Sequence, residues 1–255
     1  MTSGQFQIVD LLGAAHNQID AVDAVAAEAR FVDADRPWVY TNMIQSADGA
    51  TAVDGLSGPL GGPPDLAMLL ALRAVADVII VGATTVAGEG YAPPNPPDAT
   101  IAARRERGQE DRPIVAVVSG SLSITPDAPL FSDPTYRPIV FTGTAAPASR
   151  RIALEAVADV VSAVDQDTNR VAMAKALDHL NSLGYKNILL EGGPKLNGQF
   201  VADDLIDEWN ITISPLLAGG PAARAAEGPI TSARPMRLER LWEADGLLFA
   251  RYLRD

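Results

Sequence analysis

Cysteine is absent from the 255 residues, which excludes disulfides, thiolate metal sites and cysteine nucleophiles together. Histidine is almost as scarce. His16 and His179 stand alone, neither in a metal-ligand spacing, so no metal site is expected. His179 falls in a helical run and reads as a surface residue. Long apolar runs are missing too: no stretch of about 18 residues is apolar and free of charge. The N-terminus also lacks the basic-then-apolar pattern of a secretory signal, so a cytoplasmic protein with no membrane partner is expected. Positive charge is in deficit, with 20 Lys and Arg against 32 Asp and Glu and a net charge of −12. Such a chain repels nucleic acid and anionic membranes at long range. A small anionic cofactor is still admitted, because charges beyond a Debye length of about 8 Å are screened and local donors decide.

What is present is a 47% hydrophobic chain, enough to bury a core as one large domain or two small ones. Residues 1–36 lean towards helix and are acidic, with Ile19, Val22, Val25 and Ala26 at helical spacing and Asp20, Asp23 and Glu28 between them. They read as an appendage whose plain role is a packing or dimer-contacting helix. From Pro37 to residue 255 the pattern becomes short β-branched runs separated by Gly, Pro and Ser clusters and by helical stretches, an α/β signature. Strands are predicted at 38–44, 78–81, 114–118, 139–141, 160–162, 188–190, 208–213, 237–242 and 247–252, and helices at 65–74, 149–157, 170–183 and 195–202. The continuous apolar runs at 79–81, 114–118 and 188–190 suit central strands covered on both faces. The last two strands alternate and flank Asp245-Gly246, which predicts an antiparallel hairpin. The expected architecture is a single domain with a mixed, mostly parallel central sheet, helices on both faces and a C-terminal hairpin. The proline-rich, then charged stretch 91–112 reads as a mobile excursion, and 227–235 as a second loop.

Chemistry gathers at strand ends. In Glu191-Gly192-Gly193-Pro194 a buried strand ends, two glycines let the backbone approach a ligand, and proline suits the first turn of the helix that continues through Lys195 and Leu196. Free amides there favour an anion such as a pyrophosphate, at roughly 0.3–1 kcal/mol per partly exposed contact. A plain tight connection would look the same. Glu191 would serve a ribose hydroxyl or a substrate nitrogen at the carboxyl end of a central strand, or cap a nearby amide. Gly82, Thr84 and Thr85 repeat the pattern after another strand, with hydroxyls able to bond a phosphate or cap a helix. Asn42 to Ser46 end the first strand with polar groups that need partners. Asp48-Gly49 is by itself a β-turn. The glycine-rich loop 55–64 is suited to lie over a flat ring.

These segments together resemble the pyrimidine reductase of riboflavin biosynthesis, which occurs alone or as the C-terminal half of a bifunctional deaminase–reductase. The resemblance runs from about Trp38 to the C-terminus. It rests on Ser46-Ala47-Asp48-Gly49 for the family's Ser-Leu-Asp-Gly, on Leu72-Arg73-Ala74 followed by Asp77, on Val81-Gly82-Ala83-Thr84-Thr85-Val86, on Glu191-Gly192-Gly193-Pro194, and on Ile213-Ser214-Pro215 ahead of Gly219-Gly220.

The resemblance implies a dihydrofolate-reductase-like fold, NADPH as hydride donor and a homodimer. Its reaction would be reduction of the ribosyl side chain of 5-amino-6-(5-phosphoribosylamino)uracil, or the diaminopyrimidinone analogue, to ribityl. Thr85 and the turn and helix start from Gly193 to Gln199 would then contact NADPH, with Ile44 and Pro59 beside it. Asn42, Ser57, Arg73 and Glu191 would face the substrate, and Asp48 or Glu191 would orient it or shuttle a proton. Ser119, Ser121 and Thr142 are the candidates for the 2′-phosphate. The zinc site of the deaminase half needs cysteines that this chain lacks. Departures fall on the substrate side. Glu89 replaces the family's Asp, the following Gly90-Tyr91-Ala92-Pro93-Pro94-Asn95 lacks its phosphate-binding Arg, and Pro59 replaces a Trp. Arg73 or Arg104 would have to supply the missing charge. Two other readings remain open on the same residues: a dihydrofolate or pterin reductase, and a non-catalytic NADPH-binding sensor.

Overall fold

A computed structural model describes residues 6–13, 18–28, 30, 35–144, 146–165, 170–228 and 233–255. His16 lies outside the described residues. Among them, twelve strands form one mixed sheet: β1 (Gln7–Asp10), β2 (Gln18–Asp20), β3 (Trp38–Thr41), β4 (Met43–Ser46), β5 (Val78–Gly82), β6 (Ile114–Val118), β7 (Ile139–Thr142), β8 (Asp159–Ser162), β9 (Asn187–Leu190), β10 (Glu208–Ser214), β11 (Met236–Ala244) and β12 (Leu247–Arg254). The helices are α1 (Ala21–Ala27), α2 (Pro63–Val75), α3 (Ala83–Glu89), α4 (Asp98–Glu106), α5 (Ala148–Glu155), α6 (Met173–Ser182) and α7 (Pro194–Ala202).

The strand order is β2-β1-β11-β12-β10-β3-β9-β5-β6-β7-β8, with β4 on β10. From β10 through β8 the ladders are parallel, whereas β10, β12, β11, β1 and β2 pair antiparallel. The chain winds outward through β5, β6, β7 and β8 and returns as β9, which inserts between β3 and β5. The carboxyl end of β9, where Glu191 begins, therefore sits in the middle of the parallel part, the place where such sheets bind ligands.

The continuous apolar runs pack as their pattern predicts. Ile79 and Val81 join one core with Met68, Leu72 and Val75 of α2 and Val86 of α3. Val78 and Ile80 point to the other face, against Met173, Leu177 and Leu180 of α6 and Phe200 of α7. Fully burying one such side chain contributes about 1.5–3 kcal/mol. The edge of the His179 ring meets Phe141 at 5.9 Å, so this residue is partly packed.

Two predicted segments are corrected. The stretch 91–112 contains α4, and its charged run is not solvated throughout, because Arg104 is fully buried. Its Nη1 donates to the carbonyls of Ala74 (3.1 Å) and Ala76 (2.6 Å), satisfying orphan acceptors at the end of α2. Residues 1–36 are not simply helical: β1 and β2 extend the sheet, and α1 alone matches the predicted helical spacing. This segment is fastened by a buried ionic cluster. Glu208 of β10 accepts from Arg30 (3.1 Å), Arg251 (3.0 Å), Trp38 Nε1 (3.1 Å) and Asn210 (2.8 Å), and Glu28 lies 3.2 Å from Arg251. Burial opposes the charge on Glu208, but Arg30 and Arg251 hold its carboxyl below the usual range. Burial pushes Glu28 up to about 7, against the pull of Arg251. Of the second predicted loop, residues 229–232 lie outside the described residues.

Candidate active site

A cleft of about 1190 Å³ opens at the carboxyl ends of β3, β9 and β5. Asn42 and Ile44 line it from the first strand pair, Arg73 from α2, Thr84, Thr85 and Glu89 from α3, and Glu191, Gly193 and Pro194 from the turn after β9. About half of the residues singled out in the sequence thus meet in one place, Ser57 included.

The glycine turns after β5 and β9 touch each other. Gly82 N–H donates to the Gly192 carbonyl at 2.7 Å, and Gly192 takes a φ of +79°, which favours glycine. Gly192 and Gly193 are joined by a cis peptide bond. A Cβ on Gly193 would fall 2.8 Å from Thr85 Oγ1, so the turn and the hydroxyl are in close approach. Gly193 caps α7 and Pro194 opens it. Lys195 brings the first helical amide, whereas the Leu196 amide is spent on the Gly193 carbonyl at 2.9 Å. The result is a wall of glycine backbone and threonine hydroxyls, Gly193 beside Thr84 and Thr85, suited to phosphate oxygens.

Opposite in character is the carboxylate of Glu191. Arg73 grips it with both arms of the fork, Nε to Oε1 at 2.7 Å and Nη2 to Oε2 at 2.6 Å, and the Tyr91 hydroxyl donates to Oε2. The guanidinium also lies 5.3 Å from the centre of the Tyr91 ring. Burial works against the charge of Arg73, but the neighbouring Glu191 outweighs it and holds the guanidinium above its ordinary range. Burial, then the Glu191 charge, pushes the Tyr91 phenol well up, keeping it a donor. Glu89 sits at the mouth and accepts from the Ser57 hydroxyl (3.0 Å) and amide (3.3 Å).

Asp48 stands outside the lining. Its carboxylate accepts from the Ser46 hydroxyl, from Ala218 N–H at 3.1 Å and from Gly219 N–H at 2.7 Å. These bonds, Ser46 first, hold it down to about 2. The role this geometry gives Asp48 is to pin a strap, residues 216–227, whose section 218–223 forms one side of the cleft. Further along, Thr51 Oγ1 donates to the Ala223 carbonyl at 2.8 Å and Glu227 N–H to the Pro194 carbonyl at 2.9 Å. Gly198 of α7 makes that crossing fit: a Cβ there would stand 1.8 Å from the Glu227 carbonyl oxygen.

Other expected residues do not reach the cleft. Pro59 is exposed on a one-turn helix. Gly82, Gly192, Lys195 and Leu196, expected at the cofactor, do not line the cavity. Ser119 and Thr142, expected at a 2′-phosphate, are buried. Ser119 Oγ accepts from Ser123 N–H at 3.0 Å and Thr142 Oγ1 donates to the Gly120 carbonyl at 3.2 Å, so their hydroxyls serve local turns. Arg104 is committed to α2. Tyr91, Asp65, Thr51 and the strap line the cleft without having been predicted. An aromatic in a proline-rich stretch was the one available signal, for Tyr91.

Comparison with known proteins agrees with this arrangement. The model of the RibD C-terminal domain matches residues 37–246. The 2,5-diamino-6-ribosylamino-4(3H)-pyrimidinone 5′-phosphate reductase of Methanothermobacter thermautotrophicus is 31% identical over 209 residues, 80% of this chain and 91% of that protein. The reductase of the same name from Archaeoglobus fulgidus is 26% identical over 218 residues, 82% of this chain and 95% of that protein. Among solved structures, a pyrimidine reductase-like protein from Corynebacterium diphtheriae superposes with a TM-score of 0.82 at 28% identity, covering 93% of this chain and all of that one (100%). With these matches, the chain belongs to the RibD C-terminal domain family of pyrimidine reductases.

Proposed function

We propose that the chain is an NADPH-dependent reductase converting the ribosyl side chain of a ribosylaminopyrimidine to ribityl, the reference substrates being 5-amino-6-(5-phosphoribosylamino)uracil and its diaminopyrimidinone analogue. The observation that carries this is the pairing, in one cleft, of a glycine–hydroxyl wall (Thr84, Thr85, Gly193, Pro194) with a held carboxylate, Glu191. The first suits a dinucleotide pyrophosphate, with the Thr85 hydroxyl held close against the Gly193 backbone so that both face one ligand.

When bound, the nicotinamide supplies a hydride to the anomeric carbon of the ring-opened ribosylamine. That carbon gains the hydride while its nitrogen takes a proton, so the C=N bond of the opened form becomes CH–NH. The protein's part is position and proton. Arg73 and Tyr91 fix the Glu191 carboxylate so that its lone pairs orient substrate N–H and O–H groups. Asp48 acts indirectly, by holding the strap over the cleft. Among the described residues no helix is long and apolar enough to cross a membrane; we place the enzyme in the cytoplasm, as a homodimer.

The test follows NADPH absorbance with ribosylaminopyrimidine substrates and identifies the ribityl product. Turnover with NADPH preferred over NADH is the expected result. Turnover of dihydrofolate alone, or tight NADPH binding with no oxidation of any pyrimidine or pterin, would replace this reading.

A further inference from the structure

Reducing a C=N bond takes a proton as well as a hydride, and the cleft groups described so far are arranged as acceptors. Both oxygens of Glu191 accept, from Arg73 at 2.7 and 2.6 Å and from Tyr91, whose hydroxyl proton is directed at that carboxylate. Glu89 accepts from Ser57 at the mouth, and Asp54 is exposed to solvent. Asp65 is placed differently. It stands on the face of α2 that lines the cleft, four residues from Leu69 and eight from Arg73, which sets it about 12 Å along the helix from the Glu191 end. Its side chain bonds that of Thr212 on β10, a residue 1% exposed. The space its carboxylate fills exists because residue 61 is glycine: a Cβ there would stand 2.7 Å from Oδ2. Burial raises the Asp65 carboxyl above its ordinary range and the Thr212 bond opposes this. No charge on α1, β4, β10 or α2 itself weighs on it, the Arg73 guanidinium being engaged with Glu191 at the far end.

We propose that Asp65 is the proton donor of the reduction, giving its carboxyl proton, directly or through one water, to the nitrogen of the opened ribosylamine as the hydride reaches the neighbouring carbon. This rests on the reading of the site as a ribosylaminopyrimidine reductase. The carboxyl O–H breaks and an N–H forms. The hydride pair makes the new C–H bond, the π pair of C=N takes the proton, NADPH is oxidised, and the carboxylate is reprotonated from water. The two ends of the α2 face then divide the work, with fixed acceptors at Glu191 and a proton at Asp65.

The experiment follows NADPH oxidation with a ribosylaminopyrimidine 5′-phosphate across pH for the natural chain, Asp65→Asn and Gly61→Ala, and measures NADPH affinity separately by fluorescence titration. In the natural chain kcat is expected to fall as pH rises and the donor loses its proton, and carboxyl NMR of the free chain to show Asp65 titrating above 3.8. Asp65→Asn should lower kcat by about 100-fold and remove that limb, with NADPH affinity kept within about twofold. Gly61→Ala, which displaces the carboxylate without removing it, should lower kcat by about tenfold and keep the limb. An Asp65→Asn chain that keeps its kcat, or that loses NADPH affinity instead, overturns the inference and leaves the reductase reading standing. An Asp65 midpoint below 3.8, or a Gly61→Ala chain with unchanged kcat, does the same. A natural chain that binds NADPH and reduces no ribosylaminopyrimidine overturns the reductase reading and the inference with it.

Discussion

Glu191 and Glu208 are both buried carboxylates held by guanidinium groups. Glu191 is held by Arg73 and Tyr91, and Glu208 by Arg30, Arg251, Trp38 and Asn210. What separates them is access. The Arg73 side chain keeps 27% of its surface exposed, facing the cleft, whereas that of Arg251 keeps 5%. The first pair can offer lone pairs to a ligand; the second has its bonds inside the fold, joining the N-terminal segment to the sheet. The same carboxylate–guanidinium pairing borders a cleft in one place and fastens the fold in the other, according to which side water can reach.

Mutations can break that contrast. Glu208→Ala leaves the buried Arg30 and Arg251 to share Glu28 and is expected to cost about 3–5 kcal/mol of stability in chemical denaturation, with KM for NADPH unchanged in the folded fraction. Glu191→Gln should do the reverse: kcat falls by about 100-fold while the denaturation midpoint moves less than in Glu208→Ala. If Glu191→Gln lost stability and kept its activity, the two clusters would have the same role.

A third expectation sharpens the comparison by pH. Glu28 in the closed cluster is raised from 4.5 to about 7. Its contribution is present in full below 4.5 and is lost as pH rises through about 7, so stability should decline between 4.5 and about 7. Glu28→Gln should flatten that slope in thermal melts recorded across the range. Asp48, beside the open cleft, has the opposite sign: lowered from 3.8 to about 2, it supports the fold above 3.8 and ceases to as pH falls through about 2. Carboxyl NMR titration should find that midpoint. Asp48→Asn should loosen the strap and raise KM for NADPH by about threefold, the smallest of these effects.

How much of this was legible in the chain depended on sequence distance. The run Ile114-Val115-Ala116-Val117-Val118 announced a central strand because both its faces are covered, and β6 spans those residues. Gly193 and Thr85 were legible as cleft residues only through the order of several motifs, since a glycine turn after a buried strand is equally a plain tight connection. The closed cluster was not, since Arg30 and Glu208 are 178 residues apart and each alone reads as a solvated charge. Arg104 misled for the same reason. Ser119 and Thr142 were misread in the other direction: hydroxyls at strand ends can bond a ligand or their own turn, and only the fold shows that they chose the turn. Asp48 carried the right motif, but its partners, Ala218 and Gly219, lie too far along the chain for a β-turn reading to find them.

The strap over the cleft is tied by its own main chain. Ala218 and Gly219 offer amides to Asp48, Leu216 and Ala223 offer carbonyls to Ala47 and Thr51, Ala225 offers one to Asn197, and Glu227 N–H bonds Pro194. Those bonds use no strap side chain, so the segment's path is written in its neighbours. Evolution, or a designer, can therefore rewrite side chains such as those of Pro221 and Ala222 to change what the cleft admits, while the scaffold that presents them stays where it is.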